Sequence, residues 1–299
     1  MSIVDEASDQ PILAMDQVTA RRVLEQSTGH AHEGRVYDYY LGGSSNFAVD
    51  REFARDLIGR WPDLPWLARQ NRQCLARFVR FQLNQGIRQF VDIGSGLPTR
   101  GNVHQIADQV APGQARVVYV DHDPVATAHA YLILRRADCL DRHSVIQADL
   151  LNYERLWEAV IESGRIDPTQ PVGLLMAAVL HFVPDDEPGQ ASDAVAFLRD
   201  QVAPGSYLAL SHGTSDGLNE AELRTLAGIT DDYDAKTTAS MLLRSYDKIK
   251  SYFGNWELVE PGLVWTAEWN PPSLEQEYID GDLQPSQSRI MAGAARKPQ

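Results

Sequence analysis

Val91-Asp92-Ile93-Gly94-Ser95-Gly96-Leu97-Pro98 is the stretch on which the fold turns. An apolar run beginning near residue 89 ends here in two glycines separated by one serine. Glycines just past a first strand let the backbone turn tightly and approach a ligand, and the helix that follows presents free N–H groups at the same edge. Outward from this point, apolar runs at 116–120, 144–147, 172–177 and 207–210 read as strands. Between them Val103/Ile106/Ala107/Val110, the 125–136 segment, Leu156/Val160/Ile161 and Val195/Leu198/Val202 recur at helical spacing. This alternation predicts an α/β fold, a Rossmann-like, doubly wound, mostly parallel sheet. Runs at 257–266 and 288–294 supply the last strands, about seven in all, with one or two antiparallel at the edge. Further helices are expected at 220–226 and 236–252.

Upstream, residues 1–15 are polar and aperiodic and read as a flexible tail. Residues 16–86 read as an N-terminal helical cover, and 87–299 as the sheet domain. Asn46 is expected to cap a helix carrying Phe53, Leu57 and Ile58. Pro65 opens another, with Leu67, Cys74, Leu75, Phe78 and Val79 on one stripe and Gly86 as its stop.

Composition narrows the class. Hydrophobic residues at 43% and charged ones at 23% describe an ordinary globular chain, which excludes collagen-like and disordered classes. A formal charge of −14 repels phosphate backbones, so nucleic acid is not an expected partner. No apolar run approaches the roughly 20 residues that span a bilayer, the first residues lack a secretory signal, and no metal-ligand spacing occurs. Cys74 and Cys139, both in stretches read as helix, fit a reduced, cytoplasmic protein with no membrane partner.

Three acids close three successive strands: Asp92, Asp121 in Val118-Tyr-Val-Asp-His-Asp-Pro124, and Asp149 in Ala148-Asp-Leu150. A dinucleotide fingerprint needs a third glycine where Thr99 stands, and Asp92 would oppose a pyrophosphate. The same carboxylate attracts the ammonium and sulfonium of S-adenosylmethionine, which carries no phosphate. Asp121 is placed to accept both ribose hydroxyls. Asp149 can accept from the exocyclic amine of adenine while the next N–H, that of Leu150, meets a ring nitrogen.

These motifs resemble the Rossmann-like class I S-adenosylmethionine-dependent methyltransferases. The run 35–52, Arg35-Val-Tyr-Asp-Tyr-Tyr-Leu-Gly-Gly-Ser-Ser-Asn-Phe-Ala-Val-Asp-Arg-Glu52, is similar to the hallmark of the actinobacterial S-adenosyl methyltransferase family, formerly a domain of unknown function. The resemblance implies that Gly94, Ser95 and Gly96 line the methionine moiety, with His122 beside Asp121 in the same site. It also implies that Arg35, Tyr37, Asn46 and Phe47 belong to a cover near the cofactor. S-adenosylhomocysteine would be the product and a small molecule the methyl acceptor. The assembly is left open, a homodimer included.

Small residues Ala177 and Ala178 at the end of the fourth strand let the backbone approach the sulfonium. His181 and His212, each just past a strand, are candidate bases or loop fasteners, and Tyr40 is a third catalytic candidate. Trp265 and Trp269 either line an acceptor pocket or fill the core, and the acidic runs 185–187 and 231–232 read as solvated loops. A non-catalytic sensor or scaffold that binds the cofactor is the alternative function, and an NAD-dependent oxidoreductase a weaker one.

Overall fold

Gln89–Ile93 (β1) alternates Phe90 and Val91 toward opposite faces, and both are fully buried because helices cover both faces of the sheet. In the computed structural model, which describes residues 15–26, 29, 31–97, 101–183, 189–237, 241–270 and 283–299, β1 is central. The 1–14 part of the tail, Pro98, Thr99 and the acidic run 185–187 lie outside the described residues.

β1 pairs in parallel with Arg116–Asp121 (β2) and Gly173–Ala177 (β4). His143–Gln147 (β3) flanks β2, and Tyr207–Gly213 (β5) flanks β4, again in parallel. Ile290–Arg296 (β8) runs antiparallel to β5, and the short strands Glu257–Leu258 (β6) and Val264–Trp265 (β7) both pair with β8. The order is β3-β2-β1-β4-β5-β8-β6, so eight strands form where about seven were expected, and the chain reverses direction of winding between β1 and β4. A crevice at the carboxyl ends of those two strands follows from that reversal.

Helices pack on each face. Tyr153–Glu162 (α7) and Gln190–Gln201 (α8) set Leu156, Val160 and Leu198 against Val91, Ile93, Val118 and Val120. On the other face Leu64–Asn84 (α4) and Val103–Val110 (α5) bring Cys74, Phe78 and Ile106 onto Phe90, Val117 and Leu175. Trp269 joins this core fully buried, 4.4 Å edge-on from Phe78, so it fills the interior; Trp265 is half-buried. Both cysteines are free and buried, and Cys139 sits beyond the end of Pro124–Arg136 (α6) rather than within a helix.

Gln17–Gln26 (α1), Glu33–Tyr40 (α2) and Ala48–Arg60 (α3) precede the sheet. Val36 of α2 and Leu57 of α3 share a third cluster with Ile229 and Tyr233 of Glu220–Lys236 (α9), so the roof draws on two distant parts of the chain. The helix expected at 236–252 is instead the end of α9, a piece without regular structure at 241–245 and Tyr246–Ser251 (α10). That piece follows tertiary partners: Leu242 N–H donates to the His181 carbonyl at 2.7 Å, and Arg244 N–H to that of Gly213.

Candidate active site

The carboxyl ends of β1, β2 and β4 floor a cavity of about 240 Å³. Gly94 and Gly96 take φ of +66° and +61°, and the amides of Gly94 and Ser95 both donate to the Val120 carbonyl, drawing the loop over β2. A Cβ on Gly94 would stand 2.1 Å from Val179 Cγ2, so only glycine fits; at Gly96 that space is open. Asp121 accepts the Gly96 N–H on Oδ2 (2.7 Å) and the Asp123 N–H on Oδ1 (3.0 Å). Each oxygen keeps a second lone pair for a ligand hydroxyl.

The back wall is strained. Ala178 has φ of +56°, a left-handed conformation that costs a non-glycine residue roughly 1–2 kcal/mol. Its N–H is held by the carbonyl and Oγ of Ser211, both at 3.0 Å. Ser211 Oγ donates to Asn71 Oδ1, Asn71 Nδ2 donates to the Tyr37 hydroxyl, and that hydroxyl donates to the Ala68 carbonyl. A continuous chain of bonds thus ties β5 through α4 to the cover, and burial keeps the Tyr37 phenol protonated.

Burial pushes the Asp92 carboxyl up to about 7, the Arg72 guanidinium opposing and the Asp121 charge assisting. Asp121 is raised as well, chiefly by burial. Two buried carboxyls with raised pKa values make this floor a place that favours positive charge.

Tyr37, Asp92, the Gly94-Ser95-Gly96 loop, Asp121, His122, Ala177 and Ala178 all line this one cavity, as do Tyr40 and His181. Arg35, Asn46 and Phe47 do not. Arg35, 2% exposed, donates from Nε to Asp50 Oδ2 at 2.8 Å and lies over the Phe47 ring. Asp50 also accepts the His32 and Phe47 amides, making Phe47 and not Asn46 the residue at the start of α3. Asn46 Nδ2 donates to Asp38 Oδ2 and the Gly43 carbonyl. The hallmark run therefore fastens the α2–α3 corner from inside. Asp149 stands exposed at the tip of β3 with Oδ1 accepting the Leu151 N–H, and Leu150 is buried in the core beside α7; neither borders the cavity.

The catalytic candidates change character. His212 is fully buried away from the cavity, with Nδ1 on the Gly213 carbonyl (2.6 Å) and Nε2 on Arg244 Nη1 (3.0 Å), so it is a fastener. His181 accepts the Gly213 N–H on Nδ1, which leaves the proton on Nε2. Burial, then His212 and Arg244, hold its pKa far below the usual histidine range, so it meets the cavity as a neutral donor. Burial, with Tyr233 adjacent, holds the Tyr40 phenol above its ordinary value and protonated.

Spacing in the sequence did not reveal the roof: Arg72 and Asn71 of α4, Ile229 and Tyr233 of α9, and His32 and Glu33 at the start of α2. The last two adjoin the hallmark run and are the only ones with a local signal. Among the described residues no three or more His, Cys, Asp or Glu converge to hold a metal ion, and no helix is long and apolar enough to cross a membrane.

Comparison with known proteins agrees with this geometry. The family model described as S-adenosyl methyltransferase matches residues 19–298. A crystal structure from Thermobifida fusca YX, provisionally named a methyltransferase, is 34% identical, with a TM-score of 0.79 over 92% of this chain and 97% of that one. A DUF574-family protein from Streptomyces avermitilis is also 34% identical, with a TM-score of 0.79 over 90% and 98% of the two chains. A Mycobacteroides abscessus protein, provisionally named an S-adenosyl-L-methionine-dependent methyltransferase, is 27% identical over 192 residues; the match spans 61% of this chain and 59% of that protein. The chain belongs to the S-adenosyl methyltransferase family.

Proposed function

We propose that the cavity is the seat of methyl transfer to a small, mainly apolar acceptor, with the cofactor on the floor and the acceptor beneath the helical roof. The carrying observation is that one cavity has two chemically distinct ends. Asp92, Asp121 and the glycine loop line it from the strand tips, and Trp61, Leu64, Phe182, Ile229 and Met241 line it from the apolar cluster shared by α2, α3 and α9. The floor suits the cofactor: a glycine cradle, two carboxyls short of positive charge, and open space at Gly96. Bound there, S-adenosylmethionine supplies a methyl group already activated on sulfur.

Asp92 is the proposed partner of the ammonium and Asp121 of the ribose hydroxyls. Tyr37 would hold the cofactor from above. The remaining contribution of the protein is alignment and exclusion of water, which an apolar roof provides. The working cover on this reading is α2 and α9 with the cavity-facing Asn71 and Arg72 of α4, while the rest of α4 packs on the sheet.

Calorimetry with S-adenosylhomocysteine tests the floor, with micromolar binding expected; absence of binding by the intact chain overturns the assignment. Labelled S-adenosylmethionine offered with a panel of small ring compounds tests transfer. Saturable cofactor binding without any turnover would favour the sensor reading, which draws on the lack of a histidine base.

Asp92 gives this reading a pH signature. Its carboxyl is protonated below about 7 in the free protein and ionised once a cation pairs with it, so a proton leaves on binding. Affinity for the cofactor should climb by at most roughly tenfold per pH unit up to that value and then level off. The groups facing Asp92 are Arg72, Asp121 and Tyr119. Asp92→Asn should bind more weakly at pH 8 and show a flatter profile, which titrations in buffers of different ionisation enthalpy will read as fewer protons released.

A further inference from the structure

Glu33 opens α2 and brings a carboxylate into the roof of the cavity. Its side chain is 11% exposed. Oε1 lies 3.3 Å from His32 Nε2, whereas Oε2 is buried with no hydrogen-bond partner among the described residues. His32 is fixed by its role as a cap: Nδ1 accepts the Gly34 N–H, so Nε2–H is shared between Glu33 Oε1 and Asp123 Oδ2, each at 3.3 Å. A buried carboxylate oxygen lacking a donor is a standing demand for one.

The surroundings narrow what can answer it. Tyr233 lies within reach of the Glu33 charge, and it faces Tyr40; both phenols stay protonated. Phe182 is in ring contact with Tyr233, and Ile229 and Met241 complete the apolar wall. The cationic end of the cofactor is already matched by Asp92 and Asp121, and His181 presents Nε2–H, a donor. Among the described residues Glu33 Oε2 and the Tyr40 hydroxyl are the unpartnered polar atoms on this side, and of the two only the carboxylate oxygen is purely an acceptor.

We propose that Glu33 recognises the methyl acceptor, a neutral hydroxylated ring compound whose O–H donates to Oε2 while its ring packs among Tyr40, Phe182, Tyr233 and Ile229. This rests on the two-ended reading of the cavity given above. In the transfer the acceptor oxygen forms a bond to the methyl group as the methyl–sulfur bond breaks to leave the thioether, the O–H bond breaks with its proton passing to Oε2, and that proton returns to solvent before the next turnover. His32, 3.3 Å from Oε1, is a positioning residue that holds the carboxylate in place.

The test uses the full-length protein saturated with S-adenosylhomocysteine and two fluorescent probes, 2-naphthol and 2-methoxynaphthalene, which differ in the donor. The wild type should prefer the naphthol by roughly tenfold, the worth of one hydrogen bond to a charged group. Glu33→Met should abolish that preference while leaving S-adenosylhomocysteine affinity unchanged, and Glu33→Gln should retain part of it. Equal affinity for the two probes in the wild type, binding of neither, or a preference that survives Glu33→Met overturns the proposal. So does weakened S-adenosylhomocysteine binding by Glu33→Met, which would move Glu33 to the cofactor's end. Failure of the wild type to bind S-adenosylhomocysteine would instead sink the reading of the floor.

Discussion

Replacing Arg35 with Met should lower stability by about 3–5 kcal/mol, the largest effect of any single change outside the sheet core. Arg35 and Asp50 are 2% and 0% exposed, and the Nε–Oδ2 contact is 2.8 Å. Truncating the cation strands a carboxylate in an interior where, among the described residues, the His32 and Phe47 amides still address it. Those amides begin α2 and α3, so the loss is felt at two helix starts at once. Urea denaturation of both proteins measures the difference. The double variant Arg35→Met/Asp50→Asn should recover part of it, because the carboxamide removes the stranded charge yet keeps an oxygen for one of the amides. A single-variant loss below about 1 kcal/mol, the level of an exposed pair, would contradict this account.

Asp121→Ala should weaken S-adenosylhomocysteine binding by at least roughly 100-fold, on the scale of two hydrogen bonds to a charged group. The carboxylate acts twice: it faces the cavity, and it latches the Gly96 and Asp123 amides that shape the floor. Removing it deletes the proposed ribose partner and frees the glycine loop. Asp121→Asn should lose less, since one carbonyl oxygen remains to accept. Calorimetry on folded variants decides the matter, and a change of less than about tenfold for the alanine variant would displace Asp121 from the ribose role.

Much of this was legible in the chain itself. Strand-length apolar runs, helical spacing between them and a glycine pair after the first run predict the sheet, and β1 to β5 form where those runs lie. The strand-end position of Asp92 and Asp121 was readable for the same reason: in a parallel sheet every strand ends on one edge, so residues far apart in sequence meet there. Asp149 lies two residues past the end of β3, where it caps the following turn and stands outside the cavity, because being near the edge says nothing about which way a side chain is turned.

The hallmark run shows a different limit. The resemblance puts Arg35, Asn46 and Phe47 in a cover near the cofactor, and their partners include Asp50, Asp38 and one another. The 236–252 segment has helical composition and nevertheless leaves the helix at 241–245, where the carbonyls of Gly213 at the end of β5 and of His181 in the turn after β4 receive its amides. His212, readable as a base or as a loop fastener, is tied at both nitrogens.

Periodicity and strand-end chemistry, which are local along the chain, determined the α/β architecture, the glycine floor and the acids beside it. The roof, the neutral state of His181 and the unanswered oxygen of Glu33 were decided only in three dimensions. They depend on α2, α4 and α9 closing over the same sheet edge, and burial and hydrogen-bond partners exist only once that closure has occurred.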